Sequence, residues 1–224
     1  MNDISLSEEI GIKLIEENDL NILSIGISTA LNAEIKMINK NNNSHIIATT
    51  INKEGLKQSK QIIKNLHLED KITLKLEDVT RKMPYQDNFF DFIYARLVLH
   101  YLNNQELDFA LNEIKRVLKK NGKFYIVVRS DKEWETKLIG TTYDKKTGLT
   151  KYPKYDTLNT NNVEYLQRKF FSVNSLTKIL NKKGFKIECI REYEEQLYKD
   201  YQRKEKVKKP NIVISANVRK KGDN

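Results

Sequence analysis

The sequence predicts an α/β protein built on a central, mostly parallel sheet with helices on both faces. Three observations lead there. Between about residue 21 and residue 130, short β-branched apolar runs alternate with longer amphipathic segments, the order that strand–helix–strand units produce. Within Gln105–Lys119, Leu107, Leu111, Ile114 and Leu118 recur at steps of three and four, which puts them on one helix face against a sheet. Asn121-Gly122 follows and a new apolar run begins at Lys123, so glycine is expected to take the left-handed cap before the next strand.

The elements follow in order. Ser5 or Ser7 is placed to cap a short first helix running to Glu16, with Glu8 and Glu9 in its first turn, where they favour the positive helix end. Strands are expected at Asn21–Ile27, His45–Ile51, Ile72–Leu76, Phe90–Ala95 and Lys123–Val128, with helices at Thr29–Ile38, Lys53–Asn65 and Gln105–Lys119 between them. The stretch from Asp131 to Lys169 is polar and tyrosine-rich, and long irregular segments of this kind are often functional lids. A helix over Ser172–Asn181, capped by Ser172 and closed by Gly184, leads to a strand at Phe185–Tyr193. A basic connector, Arg203 to Pro210, precedes the last strand, Asn211–Arg219. No internal repeat or dividing linker interrupts the 224 residues, so one domain is expected, with residues 131–169 as a substrate-side insertion or lid.

Composition excludes some classes. No run of about eighteen apolar residues could cross a bilayer, and the first residues, Met1 to Glu9, are acidic rather than basic and apolar, so a cytoplasmic location is expected. The single cysteine, Cys189, cannot form an internal disulfide or a cysteine-based zinc site, and no histidine–carboxylate spacing suggests a metal. The net charge of +10 would suit a phosphate-bearing partner. Lysine and asparagine recur throughout, however, as in Asn39 to Asn43, so charge speaks of solubility and non-specific binding.

The run Leu76-Glu77-Asp78, then Met83 through Asp91, then Arg96-Leu97-Val98-Leu99-His100-Tyr101-Leu102, together with Asn112 through Tyr125, resembles the third-to-fifth-strand region of the class I S-adenosylmethionine-dependent methyltransferases. The resemblance covers roughly Leu20 to Lys220. It implies a Rossmann-like fold with a seven-stranded sheet, the last strand antiparallel, and S-adenosyl-L-methionine as cofactor at the carboxyl ends of the strands, where such sheets bind ligands. It also implies that Asp78 accepts the adenine amino group while Val79 offers a backbone donor. A loop carboxylate capping a turn is the alternative for Asp78. Arg96, Leu97 and Val98 would line the pocket near the methionine portion, or serve as core. Asp91 lies at the opposite end of its strand and reads as structural. His100 is a candidate general base because imidazole titrates near neutrality, although packing is the commoner use of that position.

The chain departs from the family at two places. The first loop, Leu23-Ser24-Ile25-Gly26-Ile27-Ser28-Thr29-Ala30, keeps only Gly26, with Ser28 and Ala30 where glycines are expected and Ser24 where an acid is usual. Thr50 stands where a carboxylate normally grips the ribose hydroxyls, and Asn52 or Glu54 is available to substitute for it in part. Two functions follow. One is an active enzyme on a small-molecule acceptor, with Trp134, Tyr143, Tyr152 and Tyr155 as an aromatic substrate wall. The other is a non-catalytic relative acting as a protein partner. A third reading, methylation of nucleic acid, rests on Arg203, Lys204, Lys206, Lys208 and Lys209.

Overall fold

A computed structural model describes residues 5–28, 30–198, 205–207 and 209–221. Five helices, α1 (Leu6–Lys13), α2 (Asn32–Lys40), α3 (Lys53–Asn65), α4 (Asn104–Val117) and α5 (Val173–Lys182), surround the strands β1 (Asn21–Ile25), β2 (His45–Thr50), β3 (Ile72–Leu76), β4 (Phe90–Arg96), β5 (Leu118–Arg129), β9 (Phe185–Glu195) and β10 (Asn211–Lys220). These strands form one seven-stranded sheet in the order β3-β2-β1-β4-β5-β10-β9. β1 to β5 run parallel, and β10 enters antiparallel to both β5 and β9.

Period-two alternation in the strands divides the core between the two faces. Leu23, Ile25, Ile93, Ala95, Phe124 and Ile126 join Leu107, Leu111 and Ile114 of α4 and Leu176 and Leu180 of α5. Ile22, Phe92, Tyr94, Tyr125 and Val127 join Met37 and Ile38 of α2 and Ile63 of α3 on the opposite face. At about 1.5–3 kcal/mol per buried large aliphatic side chain, this two-sided burial stabilises the architecture.

Element ends differ from the sequence reading in instructive ways. α4 stops at Val117, and Leu118 already pairs with Phe90 at the start of β5. The left-handed residue is Asn121, at φ 60°, rather than Gly122. Gly122 is needed for space instead, because a Cβ there would lie 2.8 Å from Leu118 Cδ1 and 2.9 Å from the Lys119 carbonyl oxygen. α4 begins with a capping box in which Asn103 accepts from the Glu106 backbone and Glu106 accepts from that of Asn103. α5 is capped as expected, the Ser172 hydroxyl accepting from Ser175 N at 3.0 Å, and Gly184 takes φ 79° beyond it. Ser5 holds the N-cap position of α1 but its side chain makes no cap hydrogen bond, and the helix ends at Lys13 rather than Glu16. The Ser5 and Ser7 hydroxyls bond Arg96 instead. α2 starts at Asn32, after Leu31 in the left-handed region, and Thr29 lies outside the described residues.

The stretch 131–169 is not irregular. It contains β6 (Thr142–Asp144), β7 (Leu149–Pro153) and β8 (Tyr165–Arg168), which form a separate antiparallel sheet in that order. Asp144 and Gly148 close its first turn, with Gly148 at φ 71° and its N–H on the Asp144 carbonyl. Asp91 has the structural role expected of it: one oxygen accepts from the backbone of Leu20 and Asn21, and the other meets Lys119 at 2.6 Å. Of the basic connector, Arg203, Lys204 and Lys208 lie outside the described residues. No helix among those described is long and apolar enough to cross a membrane.

Candidate functional site

Strand order reverses between β1 and β4, and the carboxyl edge at such a switch point is where open α/β sheets bind ligands. The chain leaves β1 through Gly26, at φ 73°, and the N–H groups of Gly26 and Ile27 both donate to the Thr49 carbonyl at the end of β2. This bifurcated anchoring ends β1 at Ile25, two residues earlier than its sequence pattern suggests, and turns the loop across the sheet edge.

Beside a small cavity of about 210 Å³ against Asp78, Val79 and Met83, two larger cavities open there. The smaller of the two, about 330 Å³, is lined by Gly26, Thr50, Asp78, Val79, Leu97 and Val98. The larger, about 730 Å³, is lined by Ser28, Glu34, Arg96, His100, Trp134 and Tyr155 among others. They share Gly26, Leu97 and Tyr101, so they meet at the ends of β1 and β4.

In the smaller cavity Asp78 accepts from Thr80 N at 2.9 Å and Thr80 Oγ1 at 2.7 Å. These bonds hold its carboxyl below the usual carboxylate range, so it is ionised. Asp78 thus closes a turn, as its structural reading expects, and also lines the cavity. Thr50 is buried, and its Oγ1 accepts from Asn52 N at 3.1 Å. Asn52 borders the cavity, but its side-chain oxygen caps α3 by accepting from Gly55 N at 3.0 Å. Glu54 lines neither cavity. A neutral hydroxyl therefore occupies the place where a carboxylate was expected.

In the larger cavity the Arg96 guanidinium is committed to structure. It donates to Ser7 Oγ at 2.6 Å, Ser5 Oγ at 2.9 Å and Glu195 Oε2 at 3.3 Å. His100 is 2% exposed, and burial, with Arg168 and Arg129 nearby, holds its imidazole well below its ordinary value. A neutral, enclosed ring is a pocket wall and a poor match for proton transfer at neutral pH. Trp134 and Tyr155 form an edge-to-face pair at 5.1 Å on the cavity wall. Tyr143 and Tyr152 are not brought there. Tyr143 is 67% exposed on β6, and Tyr152 is fully buried beneath the small sheet.

Three contributors escaped the sequence reading. Glu34, 2% exposed, accepts from Ser24 Oγ at 2.6 Å, and its other oxygen has no hydrogen-bond partner among the described residues. Burial raises its carboxyl above the usual range. A carboxylate thus returns to the end of β1 from helix α2. Its signal was present, because Glu34 shares a face with Met37 and Ile38 at spacings of three and four. Tyr94 brings to the same floor a hydroxyl without a hydrogen-bond partner among the described residues. Arg168 reaches the cavity from β8, which only the fold of the small sheet places there. Among the described residues, no group of three or more histidine, cysteine or acidic side chains is placed to hold a metal.

The pocket fits S-adenosylmethionine in one measurable respect: the ionised carboxylate of Asp78, an acceptor for an amino group, lines the cavity at the carboxyl edge of the sheet. Thr50 is the point of poorer fit.

Comparison with known proteins gives the same picture. Residues 23–126 match the model of the family described as methyltransferase domain. A sterol 4-C-methyltransferase of Caenorhabditis elegans is 40% identical over 62 residues, which are 28% of this chain and 18% of that protein. The chain therefore spans less than a fifth of that curated relative. Among solved structures, a SAM-dependent methyltransferase from Methanosarcina mazei aligns over 94% of this chain and 96% of its own, with 17% identity and a TM-score of 0.70. The [4+2]-cyclase SpnF aligns over 97% of this chain and 80% of its own, with 15% identity and a TM-score of 0.66. Fold likeness at such identity does not fix chemistry. Residues 23–126, a little under half of the chain, thus match a methyltransferase-domain family, and the seven-stranded sheet with its antiparallel β10 is the fold shared with solved S-adenosylmethionine-dependent methyltransferases, a likeness that implies S-adenosylmethionine as cofactor.

Proposed function

We propose that this chain is an active methyltransferase that transfers a methyl group directly from S-adenosylmethionine to a small-molecule acceptor. One observation carries the reading: two cavities of different character meet at Gly26, Leu97 and Tyr101 on the carboxyl edge of the sheet. The smaller takes the adenosine, with Asp78 receiving the adenine amino group, Val79 offering its backbone N–H and Thr50 beside the ribose. The larger takes the methionine portion, near Ser28, Glu34 and Tyr94, and the acceptor, under residues 131–169. When bound, the cofactor supplies an electrophilic methyl on a sulfonium, and the protein's task is to align the acceptor with it and exclude water. Proximity and orientation supply much of the acceleration for such a step, so no dedicated base is required, and His100 serves as wall.

Thr50 makes a weaker ribose contact than a carboxylate. Loss of a charge-assisted bidentate contact costs roughly 2–3 kcal/mol, so affinity should be modest.

The test is calorimetric titration of the purified protein, stripped of copurified ligand, with S-adenosylmethionine and its demethylated product S-adenosylhomocysteine. Micromolar binding, weakened in a folded Asp78→Ala variant, is expected. Unchanged affinity in that variant would overturn the placement of adenine. No binding at millimolar ligand would overturn the enzyme and favour the partner-protein reading, for which Thr50, Ser28 and Ala30 are the supporting features.

A further inference from the structure

The polar groups left unsatisfied around the larger cavity differ from one end to the other. At the floor, beside β1, the atoms without a partner among the described residues are Glu34 Oε2 and the Tyr94 hydroxyl. At the far end, under the small sheet, the orphans include two donors, Arg168 Nε and Trp134 Nε1, both enclosed and both on cavity-lining residues. The carboxylates nearby are engaged. Glu133 and Glu135 both bind Arg129, Glu164 binds Lys154, and Asp156 is exposed at the rim.

Arg168 and Lys209 stand apart among the cationic groups of this chamber. Arg96, Arg129 and Lys154 each have a carboxylate within ion-pair distance, whereas none among the described residues is found on Arg168 or Lys209. The Arg168 guanidinium lies over two tyrosine rings, 5.3 Å from the Tyr101 centroid and 5.8 Å from that of Tyr152, with the Tyr101 side chain as a hydrogen-bond partner and Glu135 acting on it at longer range. Aromatic faces stabilise a guanidinium without neutralising it. Lys209 is held likewise over Trp134, at 5.0 Å. A partly buried cation whose planar fork lacks a carboxylate is suited to bidentate capture of an anion, and here it borders Tyr101, the residue at the junction of the two cavities.

We infer that the acceptor is a planar, carboxylate-bearing small molecule, its carboxylate bound by Arg168 and its ring held against the Trp134–Tyr155 wall. This rests on the methyl-transfer reading for the word acceptor, while the anion site itself stands on the geometry of Arg168. The site orients the molecule so that its far side faces the junction at Tyr101.

The probes are benzoate and its neutral isostere benzamide, titrated by ligand-observed NMR against the full chain saturated with S-adenosylhomocysteine. Wild-type protein is expected to bind benzoate about tenfold more tightly than benzamide, the range of a charge-assisted pair. Arg168→Gln should abolish that preference, Arg168→Lys should keep part of it, and both should bind S-adenosylhomocysteine within twofold of wild type. Equal binding of the two probes by the wild type would overturn the inference without any variant. So would an Arg168→Gln protein that still prefers benzoate. A tenfold loss of S-adenosylhomocysteine affinity in Arg168→Gln would also overturn it, by assigning the arginine to the cofactor's own carboxylate. Preference for benzoate in a chain with no affinity for S-adenosylhomocysteine would instead sink the methyl-transfer reading and leave the anion site standing.

Discussion

Val98 Cγ2 occupies the space into which a side chain at Gly26 would grow: a Cβ built there lies 2.5 Å away. The end of β1 and the second residue beyond β4 are therefore fitted together across the strand switch, and the fit shapes the neck between the two cavities.

Gly26→Ala is expected to destabilise the protein by about 1–3 kcal/mol, combining a positive φ that favours glycine with overpacking against Val98. The double variant with Val98→Ala should recover the packing part only. Urea denaturation of the four proteins in the cycle measures the coupling, and strict additivity would show that the two side chains do not compete for the same space.

Glu195 joins three elements that are far apart in sequence. Its carboxylate accepts from Ser7 N at 2.6 Å, Ser7 Oγ at 2.7 Å and Arg96 at 3.3 Å, and its side chain is 1% exposed. Glu195→Ala leaves a buried guanidinium and a buried N–H without their acceptor, and should cost about 3–5 kcal/mol. Glu195→Gln keeps an acceptor for Ser7 and should cost less. Denaturation midpoints distinguish the two, and equal effects would mean that charge, not hydrogen bonding, is what α1 needs.

His100 is held neutral in the folded protein by burial and by Arg168 and Arg129, well below its ordinary value of 6.5. The unfolded chain therefore binds the extra proton. Its stabilising contribution is complete above about pH 6.5 and is lost as pH falls below it toward the folded-state value. His100→Leu should show a smaller drop in melting temperature than wild type between about pH 7.5 and pH 5.5. Equal drops in the two proteins would mean that His100 takes up its proton without unfolding.

Glu34 titrates with the opposite sign. Burial raises its carboxyl in the folded protein, so the folded chain holds the proton longer, and stability declines as pH rises above the ordinary value of 4.5. Glu34→Gln retains an acceptor for Ser24 and removes that cost. Its melting temperature should exceed that of wild type by more at pH 8 than at pH 5. A variant uniformly less stable would show that the ionised carboxylate is needed in the fold.

Much of this was legible in the chain itself. Alternation of strand-like and amphipathic runs determined the parallel sheet, and the step pattern of Leu107, Leu111 and Ile114 determined the packing face of α4, because both are set by local periodicity. Asp78 was readable for the same reason: it follows a recognisable strand and bonds residues only two places away. The tertiary structure decided the rest. Leu118 continues the helical pattern yet starts a strand, because Phe90 is there to pair with it. Ser5 and Ser7 have the residue type of caps but serve Arg96, which lies about ninety positions along the chain. Glu34 came to the end of β1, and Arg168 to the larger cavity, through the return of a helix and the folding of the small sheet. Such contacts depend on which distant segments meet, and the local pattern that sets a helix or a strand carries no record of its partner.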